Sequence, residues 1–126
     1  MNGDSLEAMD AIRITLSVCN PTDPARSREV DFLIDSGMKF SVVPQDILSG
    51  LGVVSKGVES VTLADLTCVR RKAGEALFIY AGETRLSGVL FGEEGDSTVL
   101  GTLTLQSFGL MLDPYRQEVR PMTVRT

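Results

Sequence analysis

Histidine is absent from the 126 residues of this chain, and its absence removes whole classes of chemistry. Ser-His and Cys-His nucleophile pairs, histidine-ligated zinc and histidine acid–base catalysis are all excluded within one chain. Any catalysis must therefore use mainly carboxylates, lysine or tyrosine.

Cysteine is scarce as well, with Cys19 and Cys68 far apart in the sequence. Two such thiols make neither a disulfide framework nor a clustered thiolate metal site, and we expect both to be buried and reduced. The acidic residues Glu93, Glu94 and Asp96 lie in a glycine-rich turn without the spacing of an EF-hand, so we expect them to be solvated. The sequence thus predicts no metal site and no cofactor.

Excess positive charge and long apolar runs are also missing. A net charge of −5 and a pI near 4.6 argue against nucleic acid as a partner, because phosphate binding needs clustered cations. The basic cluster from Arg70 to Lys72 is expected to be a solvated hairpin surface. No apolar run reaches the roughly 18 residues that span a bilayer, and Met1 to Asp4 do not resemble a signal peptide. We expect a cytoplasmic protein without a membrane partner.

What is present fits one folded domain. Hydrophobic residues make up 43% of the chain and charged residues 23%, which is ordinary globular usage and makes extended disorder unexpected. We expect a flexible N-terminus over residues 1–10 and a single domain over residues 11–126.

Alternating apolar residues predict a mainly β chain. The first strand is expected at Ile12 to Val18, followed by a loop to about Arg28 and a strand from Val30 to Ile34. Val58 to Leu63 and Val69 to Tyr80 then flank a turn-prone segment. These two runs predict a long hairpin, which is followed by a return strand over residues 84–91.

Two short helices interrupt this β pattern, at Pro44 to Gly52 and at Thr102 to Phe108. Each follows a strand and a glycine-bearing loop, once around Asp35-Ser36-Gly37 and once around Val99-Leu100-Gly101. This repeated order suggests two similar halves related by an approximate twofold axis. A final hairpin is expected over residues 110–122.

Asp35-Ser36-Gly37 alone is an ordinary turn sequence, but its surroundings are more specific. Val30 to Ile34 precede it, Phe40 to Pro44 follow it, and Val99-Leu100-Gly101 comes later. This order resembles the active-site segment and the apolar-apolar-glycine motif of retroviral and bacterial retropepsin-like aspartic proteases. Leu105 to Pro114 also resembles the closing segment of the bacterial members, so the resemblance covers roughly residues 11–123.

The resemblance implies a closed β-barrel-like acid-protease (retropepsin) fold with one or two short helices, assembled as a homodimer. Asp35, Ser36 and Gly37 are the implied catalytic residues. Two carboxylates sharing one proton can act as general base and general acid in the hydrolysis of a peptide bond. One chain contains a single such triplet, so the second aspartate must be Asp35 of another copy. Ser36 is expected to hydrogen-bond across the dyad, and Gly37 to let backbone approach the carboxylate.

By the same resemblance, the hairpin turn is the flap that covers a cleft for a peptide or protein substrate. The expected substrate-binding residues are Met38, Ala64, Asp65, Leu66, Leu100 and Gly101. Met38 stands where the family usually has a small residue, and Leu66 where it usually has glycine. The leading hypothesis is a homodimeric aspartic endopeptidase. The alternatives are a non-catalytic dimeric peptide-binding module and a purely structural dimer.

Overall fold

The computed structural model describes residues 12–35, 37–63, 65–113 and 115–122, and over these ranges the chain is mainly β. The predicted flexible segment 1–10 lies outside them. Neither helix in the described part is long and apolar enough to cross a membrane. The elements in chain order are β1 (Arg13–Asn20), β2 (Asp23–Ile34), β3 (Ser41–Pro44), α1 (Gln45–Gly50), β4 (Gly57–Thr62), β5 (Cys68–Tyr80), β6 (Glu83–Gly92), β7 (Val99–Leu100), α2 (Thr102–Ser107), β8 (Leu110–Asp113) and β9 (Glu118–Pro121).

The expected burial of both thiols holds for Cys19 but is wrong for Cys68, which is exposed near the start of β5.

The elements confirm the predicted strands and helices, but the loop predicted up to Arg28 is wrong. Only residues 21–22 separate β1 from β2, and β2 pairs with β1 along most of its length. The side chains from Asp23 to Glu29 are all exposed, so this half of β2 has no apolar alternation that could reveal it. Backbone pairing with β1, rather than burial, holds these exposed residues in a strand.

Seven of the nine described strands form one sheet in the order β1-β2-β7-β3-β6-β5-β4, and β1 also pairs with β5. This extra pairing closes the sheet into a ring of six strands, from which only β4 of the seven is left out. The pairing of β1 with β2 matches that of β5 with β6, and the parallel pair β2–β7 matches the parallel pair β6–β3. The sheet therefore has the approximate twofold symmetry that the repeated strand-loop-helix order predicts.

Alternate residues of β3, β6 and β7 face opposite sides of the sheet, as strand geometry requires. One face joins the main hydrophobic core around Phe32 and Phe78, whose ring centroids lie 6.1 Å apart. The other face carries a smaller apolar cluster of Val42, Leu90 and Val99. The sheet thus separates a stabilising core from a second apolar surface that lies on the side of the β4–β5 hairpin.

Two residues, Ala81 and Gly82, form the turn between β5 and β6. Ala81 and Gly82 have φ angles of 51° and 82°, the left-handed pair of a type I′ turn. Asparagine tolerates this conformation better than alanine does. We expect Ala81→Asn to raise the free energy of unfolding by roughly 0.5–1 kcal/mol in urea denaturation at fixed protein concentration. Ala81→Val, which is β-branched, should lower it. A less stable asparagine variant would contradict this turn geometry.

Candidate active site

Asp35 directly follows β2, at the point where this strand leaves its parallel partner β7. Ile34 is paired with Leu100, and the Asp35 amide nitrogen lies 3.5 Å from the Leu100 carbonyl oxygen. The Asp35 side chain is exposed, and its Oδ1 accepts a hydrogen bond of 2.8 Å from the Gly37 amide. The Met38 amide donates to the Asp35 carbonyl oxygen at 3.1 Å. The loop is thus a tight turn that orients one carboxylate oxygen.

Gly101 holds a second loop against the first. A Cβ atom at this position would stand 2.5 Å from the Phe40 carbonyl carbon and 2.6 Å from the Lys39 carbonyl oxygen, too close for any real side chain. The Thr102 amide also donates to the Met38 carbonyl oxygen at 2.9 Å. The two glycine-bearing loops that the sequence singled out are therefore in direct backbone contact.

Three buried hydroxyl groups support this contact from behind. The Ser41 hydroxyl accepts a hydrogen bond of 2.9 Å from the Gly101 amide and lies 2.6 Å from the Thr104 hydroxyl. Thr104 in turn lies 2.9 Å from the Ser87 hydroxyl. Unpaired buried hydroxyls are costly, and here each has a partner. Sequence analysis missed this network, although a serine between Phe40 and Val42 was its visible signal.

A cavity of about 140 Å³ lies beside Asp35. Its walls are mostly apolar and come from the second apolar surface and from the β4–β5 hairpin. They include Met38, Val42, Val61, Leu63, Leu90 and Val99. An aspartate beside an apolar cavity is an arrangement that could place a carboxylate next to a bound apolar side chain.

The same cavity is lined by a paired cation and anion, Arg71 and Asp96. The guanidinium donates two hydrogen bonds to the carboxylate, of 2.7 Å and 3.0 Å. The two side chains are only 15% and 20% exposed, so the prediction that both segments are solvated is wrong for these residues. The burial of Arg71 could have been predicted from the alternation of side chains along a strand, since Arg71 lies on the same face of β5 as Val69 and Ala73.

The tip of the hairpin is a turn stabilised by its own hydrogen bonds. The Leu66 amide donates to the Leu63 carbonyl oxygen at 2.9 Å, and the Thr67 amide donates to the Asp65 carboxylate at 3.0 Å. This bond from the Thr67 amide lowers the pKa of Asp65 below its ordinary value. Leu66 has a φ of 69° and is 82% exposed. It holds a conformation that favours glycine, and it points an apolar side chain into solvent.

The predicted site residues thus fall into two groups. Met38, Leu100 and Gly101 lie at the Asp35 loop, and Asp65 and Leu66 lie at the hairpin tip. Of these five described residues only Met38 lines the cavity beside Asp35, and the Leu100 side chain is buried in the main core instead. Ser36 and Ala64 are outside the described residues. Their predicted roles, like the catalytic role of Asp35, stay predictions.

The ion pair with Arg71 predicts a pH dependence of stability. Hydrogen bonds from Arg71 hold the pKa of Asp96 below its ordinary value, so its stabilising effect is complete above the unfolded-state pKa and is lost as pH falls through the folded-state pKa. We expect the free energy of unfolding to fall below about pH 4.

In Asp96→Asn the loss between pH 5 and 3 should be smaller than in the wild type, as measured by urea denaturation. The pKa values of Asp65 and Asp113 are lowered too, so only the difference between the two proteins reports on Asp96. An identical pH dependence in both proteins would contradict the proposed contribution of this pair.

Comparison with known proteins identifies the fold. No protein-family model and no curated protein matches the sequence. Among solved structures, the chain is similar to the retroviral EIAV protease complexed with the inhibitor HBY-793. The TM-score is 0.59 with 16% sequence identity, over 79% of this chain and 88% of that chain. A similarity at so low a sequence identity shows the fold alone, and this mainly β chain therefore has a retropepsin-like fold.

Proposed function

We propose that this protein is an aspartic endopeptidase that acts as a homodimer, with Asp35 of each copy in a shared dyad. The observation that carries the proposal is the exposed Asp35 carboxylate beside an apolar cavity. Its loop is fixed by backbone contact with Gly101, in a chain with a retropepsin-like fold.

The proposed chemistry needs both carboxylates and one water molecule. When the two groups share a proton, the ionised one takes a proton from water while the protonated one gives its proton to the peptide carbonyl oxygen. The resulting tetrahedral intermediate collapses as the leaving nitrogen receives a proton from the dyad. The Gly37 amide holds Oδ1 of Asp35, which restricts the carboxylate before substrate arrives.

The second copy is required because Asp-Ser-Gly occurs once in the sequence. Exposed apolar side chains near the C-terminal sheet, at Leu103, Met111 and Met122, are surfaces that a second copy could cover. Strands β8 and β9 form a two-stranded sheet separate from the main one. These features support assembly through this end of the molecule.

A non-catalytic peptide-binding module is the second candidate. The observation that favours it is the place of Met38, whose side chain lines the cavity beside Asp35. A flexible thioether here can fill space that a water molecule and a scissile bond need. Such a protein would keep the groove and the assembly without cleavage.

Replacing the proposed catalytic carboxylate tests the enzyme directly. Asp35→Asn keeps the shape of the side chain but removes the base, so peptide cleavage should fall by about two to four orders of magnitude. Wild-type activity should follow a bell-shaped pH profile, because high pH removes the shared proton and low pH leaves no base. Cleavage of fluorogenic peptides measures both quantities.

Asp31→Asn is the matched control, since this exposed carboxylate lies in β2, shortly before Asp35, and pairs with Arg13 at 3.2 Å. It should keep the wild-type rate. Retained cleavage by purified Asp35→Asn protein would overturn the mechanism. Tight peptide binding by a wild-type protein that cleaves no peptide would favour the binding module.

Assembly is a separate test. The proposal requires a dimer of the 13.6 kDa chain at micromolar concentration, because the dyad exists only between copies. Light scattering should give twice the chain mass for both the wild type and Asp35→Asn. A strictly monomeric mass under conditions of full activity would exclude the shared dyad.

A further inference from the structure

A second cavity, of about 240 Å³, lies between the Asp35 loop and strand β4. It shares Met38, Val61 and Leu90 with the cavity beside Asp35, so the two are neighbours along one groove. Gly37 lines it from the loop side, which places it next to the proposed catalytic carboxylate.

Among the described residues that line this second cavity, Lys39 is the one that carries a charge. Within the described ranges, no carboxylate lies within ion-pair distance of its ammonium group, whereas Lys56 is paired with Glu75 at 2.8 Å. The ammonium of Lys39 instead lies 5.8 Å from the ring centroid of Phe40, another wall of the cavity. The cavity therefore combines apolar walls with one cation that no described anion neutralises.

Strand β4 offers a place for an extended peptide beside this cation. It is the last strand of the sheet and pairs with β5 alone among the described strands, so its other edge is unpaired. Extended peptides add to such edges through backbone hydrogen bonds, and their alternate side chains then enter cavities on one side. Ser60, Val61 and Thr62 of β4 line the Lys39 cavity.

We propose that Lys39 selects peptides with an aspartate or glutamate side chain close to the bond that is cleaved. The carboxylate would form an ion pair with the Lys39 ammonium, while the stem of the side chain packs against Phe40. The chain as a whole carries a charge of −5 and repels acidic peptides, so a preference for an acidic residue must come from a local cation. This inference rests on the proposed function for cleavage, but the charge preference belongs to the groove and is measurable by binding alone.

The test uses acetylated, C-terminally amidated peptides in which glutamate or glutamine occupies one position at a time. Binding is measured by fluorescence anisotropy with the Asp35→Asn protein, and cleavage with the wild type. At one position the glutamate peptide should bind about two- to fivefold more tightly than its glutamine counterpart, as expected for a partly exposed ion pair. The ratio should shrink toward one at high salt.

Lys39→Glu, introduced alone for cleavage and into Asp35→Asn for binding, should reverse the preference at that position. Lys72→Glu changes the net charge equally at another exposed site and should leave the preference intact. Equal affinities at every position, or a preference that survives Lys39→Glu, would overturn the inference. A lysine-dependent preference without wild-type cleavage would support the inference and overturn the proposed protease. Cleavage without any charge preference would overturn the inference and support the proposed protease.

Discussion

The close approach of Gly101 to the backbone of Lys39 and Phe40 is the contact on which the candidate site depends. Even a Cβ atom at Gly101 would lie 2.5 Å from the Phe40 carbonyl carbon, so any side chain there must push the two loops apart. The Asp35 loop would then lose the support of its neighbour. The buried hydroxyls of Ser41 and Thr104 add polar bonds to the same contact, where the surroundings exclude water.

Because side chains alternate along a strand, one face of the sheet packs into the main core and the other face lines the cavity beside Asp35. In β3, Val43 enters the main core while Val42 faces the cavity, and in β7 Leu100 and Val99 divide in the same way. Substitutions on the cavity side can therefore change what binds with less loss of core packing than substitutions on the other side. The site is carried by rigid strands and by a loop with fixed ends, which favours a precise position for the Asp35 carboxylate.

Much of this architecture could be predicted because it depends on apolar alternation, glycines and turn residues. The exposed first half of β2 could not, since it has no apolar alternation and is held by backbone pairing with the adjacent strand β1 rather than by burial. Arg71 was missed for a different reason. Its neighbours Arg70 and Lys72 are exposed, and composition alone groups the three cations together, whereas the strand period separates Arg71 from the other two. The partner that made its burial favourable, Asp96, lies in a loop whose position no local pattern predicts.

The internal symmetry of the chain bears on where a second carboxylate can come from. Val42 of β3 pairs with Val99 of β7. Leu33 pairs in parallel with Val99, and Leu90 pairs in parallel with Val42, so Leu33 and Leu90 occupy equivalent positions in the two halves. Two residues further along, Asp35 is therefore equivalent to Gly92, which has no side chain. The internal repeat thus does not provide a second carboxylate for a shared proton, and a lone carboxylate can be base or acid but not both at once. Under the proposed function, the other Asp35 must come from a second copy related by a twofold axis, so cleavage depends on assembly of the dimer.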